Sequence, residues 1–338
     1  MRSPSVRRWH RDFVRSWQVY AGVAVTLCRG IPELCRELAR ARKDRAYVNS
    51  EASYALMRLL YVMSGGYLFR LLERYISPSA LPKTRFRAGF TKLHLDDCAA
   101  LTKLFDMQCY SQMQPARRGK IGDFVKDPMG RIEIDQADLF ASRELAELAT
   151  SSLWKEAARA ILGTKPIAVL LVAWWSKPSD GSARMLSESA QAWHRDIDRL
   201  RELKFFFYAT DVALENGPLE YVQCSHLPSF RALSTNHGRC TDTWVRKRYP
   251  GGFVSMTGKA GDVFIVDTQG LHRGRPVERG MRCVLQLEFS SSVFGAEFQY
   301  RPRLPLRETW PSYPVWRKAL EDDPDAWAPL FGRQNQGS

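Results

Sequence analysis

From residue 166 to residue 290 the chain is a succession of short apolar segments with no clear helical stretch between them, and this restricts the fold more than any other feature. PIAVLLVAWWS (166–176), LKFFFYATDV (203–212), GPLEYVQC (217–224), GFVSMT (252–257), DVFIVD (262–267) and RCVLQLEFS (282–290) are rich in β-branched and aromatic residues. Turn residues separate them, among them Glu215-Asn216-Gly217-Pro218 and Gly261-Asp262. Many short strands without intervening helices predict an antiparallel sandwich or jelly roll, and argue against a doubly wound parallel sheet.

Helices are expected around this β-rich stretch. Residues 95–108 (LDDCAALTKLFDMQ) read as a helix opened by an aspartate cap, and residues 141–162, rich in Ala, Leu and Glu, as another. Nearer the amino terminus, Leu27, Ile31, Leu34 and Leu38 recur at helical spacing, and residues 54–75 form a second helical stretch. SPSALPK (77–83), with two prolines, marks a break. The expected organisation is a basic helical extension over 1–83, a mainly β domain with accompanying helices over 84–300, and a tail over 301–338 that packs on the core.

Composition excludes several classes. With 45% hydrophobic and 12% aromatic residues the chain can bury a sizeable core, so wholesale disorder is not expected. Its seven cysteines form no C-x-x-C pair, which gives neither a disulfide framework nor a zinc finger and fits reduced, cytoplasmic thiols. The formal charge is +14, and residues 1–45 alone hold eleven Lys/Arg against four Asp/Glu. Such a surface is either simply solvated or meets something anionic, a membrane surface or an acidic small molecule. No zinc-finger spacing, RNP-like motif or helix-turn-helix pattern points to nucleic acid. The apolar run WQVYAGVAVTLC (17–28) is shorter than the roughly 20 residues of a spanning helix and lacks a small-x-small cleavage site. An internal or surface-lying helix is the expectation there, with at most peripheral membrane contact.

Three residues carry the chemical signal. His194 and Asp196 stand two apart in WHRDID; on an extended segment both project to one side, together with Asp198. His272 follows the strand DVFIVD, 78 positions downstream of His194, and a jelly roll brings such distant strands to one mouth. Two imidazoles and one carboxylate with open positions are the ligand set of a non-haem Fe(II) facial triad. Arg282 opens a strand on which Arg282, Val284, Gln286 and Glu288 share one side, where a guanidinium suits a carboxylate clamp. Lys204, Phe206 and Tyr208 share a face that could line a pocket, although a core role suits the phenylalanines better. Trp174, Trp175 and Trp193 fit a substrate wall or core packing.

Taken together, WHRDID with LKFFFYATDV behind it, ENGPLEYVQCSH, GDVFIVDTQGLHRG and MRCVLQLEF resemble the phytanoyl-CoA dioxygenase family of Fe(II)/2-oxoglutarate oxygenases, most strongly over residues 191–290. The resemblance implies a double-stranded β-helix (jelly roll, cupin-like) core. It implies His194, Asp196 and His272 as iron ligands and Arg282 as partner of the distal carboxylate of 2-oxoglutarate. Fe(II), 2-oxoglutarate and dioxygen would then act on a small-molecule substrate, with release of succinate and carbon dioxide. Relatives that halogenate have a small residue in place of the carboxylate, so Asp196 implies hydroxylation, or a derived desaturation or cyclisation. Asp198 would hold a ligand from behind or pair with Arg195, Arg199 or Arg201. Cys224-Ser225-His226 stands where the family has Gly-Ser-His, and His226 is expected to order a turn. Arg275 and Arg279 are alternatives to Arg282. Two other readings remain: a jelly-roll binding module without turnover, and a membrane-surface protein acting through its basic amino-terminal helices.

Overall fold

The computed structural model describes residues 86–107, 109–110, 130–179, 190–197, 199–227, 240–292 and 306–331. The expected amino-terminal extension (1–83) and Asp198 lie outside the described residues.

Seven strands make the larger sheet: β1 (Phe90–His94), β2 (Cys109–Tyr110), β3 (Arg131–Ile134), β4 (Ile167–Ser176), β5 (Glu202–Tyr208), β8 (Asp262–Val266) and β10 (Arg282–Ser290). Their spatial order is β1-β8-β5-β10-β4-β3-β2, and every neighbouring pair is antiparallel. A smaller sheet has the order β7-β6-β9, from β6 (Leu219–Tyr221), β7 (Val254–Met256) and β9 (His272–Gly274). Neighbours that are far apart in sequence, such as β10 between β4 and β5, give the antiparallel jelly-roll arrangement expected from the strand pattern.

Alternation along the strands separates two cores. Outward side chains, including Trp175, Phe205, Phe207, Leu285 and Leu287, pack under a helical layer. That layer comprises α2 (Gln136–Ala141), α3 (Arg143–Thr150), α4 (Ser152–Leu162), α6 (Tyr313–Asp322) and α7 (Pro324–Phe331). Inward side chains, Leu170, Val172, Trp174, Phe206, Tyr208, Phe264 and Val284 among them, meet Leu219, Tyr221 and Met256 of the smaller sheet. Both faces of β4, β5 and β10 are covered, which is why these strands read as nearly continuous apolar runs.

The helices differ in detail from expectation. The stretch 95–108 holds only one short α-helix, α1 (Ala99–Thr102), and a 3₁₀ turn over Lys103–Phe105; Asp97 accepts from the Ala99 N–H. The stretch 141–162 is divided. Ser142 and Ser151 have extended ψ angles (121° and 132°), and the Ser142 hydroxyl accepts from Leu145 N to start α3. Helix α4 ends at Gly163 with φ 68°, and Arg201 donates to the carbonyls of Ile161 and Leu162 at its C-terminus. The tail, in which sequence shows little periodicity, contributes α6 and α7. Trp316 and Trp327 are buried there, and the Ser312 hydroxyl donates to Phe140 O.

Candidate metal centre

A short antiparallel bridge builds the centre. His194 N donates to His272 O and His272 N to His194 O, each at 2.9 Å, which sets the two rings 4.3 Å apart. Asp196 N donates to Thr268 O at 2.9 Å, so the His-x-Asp segment is held at two points by the chain that leads into β9. Extended backbone between them then turns both side chains to one side, as the spacing predicts.

The ring nitrogens have distinct tasks. His194 Nδ1 lies 2.8 Å from Ala192 O, and His272 Nδ1 lies 2.9 Å from Gly270 O. A carbonyl accepts only, so each Nδ1 carries a proton and donates. In the neutral rings Nε2 is then a free lone pair, the form that binds metal. Both Nε2 atoms face the carboxylate: His194 at 3.5 Å from Asp196 Oδ1, His272 at 3.4 Å from Oδ2. One ligand atom from each of the three residues falls within 4.8 Å of the others. Bonds of about 2.1 Å in an octahedron put adjacent ligands about 3 Å apart, so a small inward adjustment closes this set on one ion.

Lys204 of β5 completes the carboxylate's surroundings. Its Nζ is 2.6 Å from Asp196 Oδ2 and 3.8 Å from Glu288 Oε2. Burial opposes ionisation of Asp196, but the Lys204 ammonium, joined by the two imidazoles whenever their Nε2 atoms are protonated, outweighs it and holds the carboxyl well below the usual range. Glu288 in turn lies 3.8 Å from Arg199 Nε, so opposed charges continue behind the centre.

Arg282 is placed differently from every other arginine discussed above. It is 6% exposed, its Nε has no hydrogen-bond partner, and no carboxylate pairs with it among the described residues. Burial pushes its pKa down from the ordinary value. A Cβ at Gly274, two residues past His272, would lie 3.4 Å from Arg282 Nη2. The guanidinium therefore borders the strand that carries His272. An isolated buried cation is costly, and an anion arriving beside it removes that cost. Arg275 and Arg279, the alternatives, already face acids. Arg275 lies 2.6 Å from Glu278 and 3.6 Å from Glu220, while Arg279 pairs with Glu215 and its side chain is 82% exposed.

The remaining candidates fall into place by strand parity. Trp174 faces inward and Trp175 outward. Trp193, next to His194 on an extended segment, packs with Val222, Val245, Tyr249 and Leu271, and donates to Asp242 at 2.9 Å. It anchors helix α5 (Asp242–Arg248), with Arg273 over its ring. Tyr208 donates to Met256 O and accepts from Leu219 N, tying the two sheets together beside Arg282. His226 sits in a turn, as expected, and the neighbouring Ser225 hydroxyl accepts from Leu271 N at 2.7 Å. Arg195 supports the centre from the side. It donates to Ser225 O, Gln269 O and Tyr249 Oη. That role is invisible in sequence because two of its acceptors are backbone carbonyls. Gly270 must lack a side chain, since a Cβ there would collide with the Tyr221 hydroxyl.

Fold and site together define a β-sandwich protein with a two-histidine, one-carboxylate metal centre. Residues 93–279 match the phytanoyl-CoA dioxygenase (PhyH) family over more than half of the chain, and the chain belongs to that family. No curated protein matches it. Among solved structures it is similar to the non-heme alpha ketoglutarate dependent epimerase SnoN from nogalamycin biosynthesis (17% identity, 61% of this chain and 80% of that one, TM-score 0.42). It is also similar to HygX from Streptomyces hygroscopicus with nickel and 2-oxoglutarate bound (16% identity, 68% and 94%, TM-score 0.44). EctD from S. alaskensis with bound Fe is comparable (18% identity, 67% and 86%, TM-score 0.42).

Proposed function

We propose that the protein is an Fe(II)- and 2-oxoglutarate-dependent dioxygenase that hydroxylates an unactivated C–H bond of a small molecule. The observation that carries this reading is the pair of imidazoles whose Nδ1 protons are committed to carbonyls while both Nε2 lone pairs converge on one carboxylate. His194, Asp196 and His272 hold the iron. Arg282 takes the distal carboxylate of 2-oxoglutarate; the family match ends at residue 279, so this assignment rests on a buried guanidinium that pairs with no acid among the described residues. Bound iron with 2-oxoglutarate and dioxygen supplies the oxidising chemistry, with succinate and carbon dioxide as co-products. The chain's own residues bind and orient. Lys204 holds one carboxylate oxygen of Asp196 and would orient the carboxylate toward a bound metal. Ala192 and Gly270 carbonyls fix the imidazole tautomers. The apolar inner side chains pack as a cluster between the two sheets and would keep water from this side of the centre.

The +14 formal charge favours an anionic substrate, and the basic segment 1–83 favours contact with an anionic membrane surface. Among the described residues no helix is long and apolar enough to cross a membrane. We assign 84–300 to the catalytic domain and 301–338 to a tail that packs on it. Anaerobic addition of Fe(II) and 2-oxoglutarate should give a charge-transfer band near about 500 nm, as facial-triad complexes of this oxoacid do. Absence of that band sinks the proposal. Product mass then separates oxygen insertion from desaturation, cyclisation or stereoinversion.

A further inference from the structure

The inner face of β10 presents four side chains in a row: Arg282, Val284, Gln286 and Glu288. Glu288 has Lys204 and Arg199 beside it. Gln286 is 8% exposed, and its carboxamide meets no hydrogen-bond partner among the described residues. Its register neighbours cannot supply one, because they are Phe206 on β5 and Val172 on β4. Its amide atoms are not among the fully buried ones, so on this largely covered face they remain within reach of a group that arrives from outside.

Position says which group. One step along the face lie Glu288 and Lys204, paired across β10 and β5, and Lys204 touches Asp196. In the other direction come Val284 opposite Tyr208, and then Arg282. Gln286 thus stands between the end of this face that lies by the metal centre and the end that carries the Arg282 guanidinium. A ligand spanning those two ends passes over it.

We propose that Gln286 is a binding residue for the 2-oxoacid co-substrate, its carboxamide NH₂ donating to a carboxylate oxygen of the molecule that Arg282 holds at the far end. The proposal rests on the functional reading above and adds a residue to it. A donor there, with apolar walls on both sides, selects for an acceptor oxygen at that point and holds the oxoacid flat against the larger sheet.

The test uses the full-length protein loaded with zinc, which turns nothing over, and reads 2-oxoglutarate affinity by calorimetry. Gln286→Leu should weaken binding by on the order of tenfold, the loss of one hydrogen bond to a charged group. Gln286→Glu, nearly isosteric but anionic, should weaken it by on the order of a hundredfold through like-charge repulsion. The metal-free Gln286→Leu protein should melt no lower than wild type, because the amide makes no hydrogen bond among the described residues. Wild-type affinity in both variants, or a metal-free Gln286→Leu protein that melts well below wild type, overturns the assignment. Failure of the wild-type protein itself to bind 2-oxoglutarate is a different result, and defeats the functional reading together with this one.

Discussion

Replacing Arg282 with methionine should move stability and ligand affinity in opposite directions. The guanidinium is 6% exposed and pairs with no acid among the described residues, and burial already depresses its pKa. In the ligand-free protein it therefore bears a desolvation penalty of several kcal/mol with little Coulombic return. Methionine fills a similar volume without charge. The metal-free variant should be more stable by about 1–3 kcal/mol, which for a chain of this length raises Tm by about 1–4 °C. Affinity runs the other way. A bidentate guanidinium–carboxylate contact holds two charge-assisted hydrogen bonds of about 1.5–3 kcal/mol each. Their loss should raise the 2-oxoglutarate Kd by about 10²–10⁴, at 1.4 kcal/mol per decade. Differential scanning calorimetry of chelator-treated protein gives the first quantity, and calorimetric titration of zinc-loaded protein the second. Saturating 2-oxoglutarate should raise the Tm of wild type and leave the variant unmoved. A variant that melts several degrees lower would show that Arg282 is a structural residue. A Kd within threefold of wild type would show that the carboxylate binds elsewhere.

Three further outcomes are expected. Lys204→Met leaves Asp196 buried without its ammonium partner, so metal affinity should fall about 10–100-fold by calorimetry, and the effect should vanish in an Asp196→Asn background. Because the Asp196 carboxyl is held below the usual range in the folded protein, its contribution to stability is complete above the unfolded value of about 3.9 and is lost as pH falls from there through the folded value. The stability gap between metal-free wild type and Asp196→Asn should accordingly narrow below about pH 4 in denaturant titrations, and a gap independent of pH would contradict the assigned charge state. Trp316→Ala opens a cavity between α6 and the fully buried layer at Phe140 and should cost about 3–5 kcal/mol, with little effect on zinc affinity.

Strand β10 was legible to the residue, Arg282–Ser290, because clear alternation runs between a loop and a serine-rich end. β4 was legible to within one residue, as a long apolar stretch that begins after Pro166. The C-terminal helices were not. Pro314 sits in the first turn of α6, and Pro324 opens α7. Proline reads as a breaker in sequence, yet at a helix start it sacrifices no hydrogen bond. The division of 141–162 turned on Ser142 and Ser151, residues as acceptable inside a helix as ahead of one until packing decides. Arg195 and Arg201 donate to carbonyls of distant segments, and backbone acceptors carry no residue code.

What sequence alone could determine is local: which side of a strand a residue occupies, since that alternates with every position, and which chemistry its side chain can offer. It yielded the His-x-Asp pair, the later histidine and the polar side of β10. Only the tertiary structure could decide that residues 78 apart share a backbone bridge, that Lys204 reaches Asp196, and that Arg282 meets no acid and Gln286 no hydrogen-bond partner among the described residues. Strand order follows from burying both faces of the larger sheet at once, a property of the whole chain, and the presence or absence of a partner exists only once that order is set.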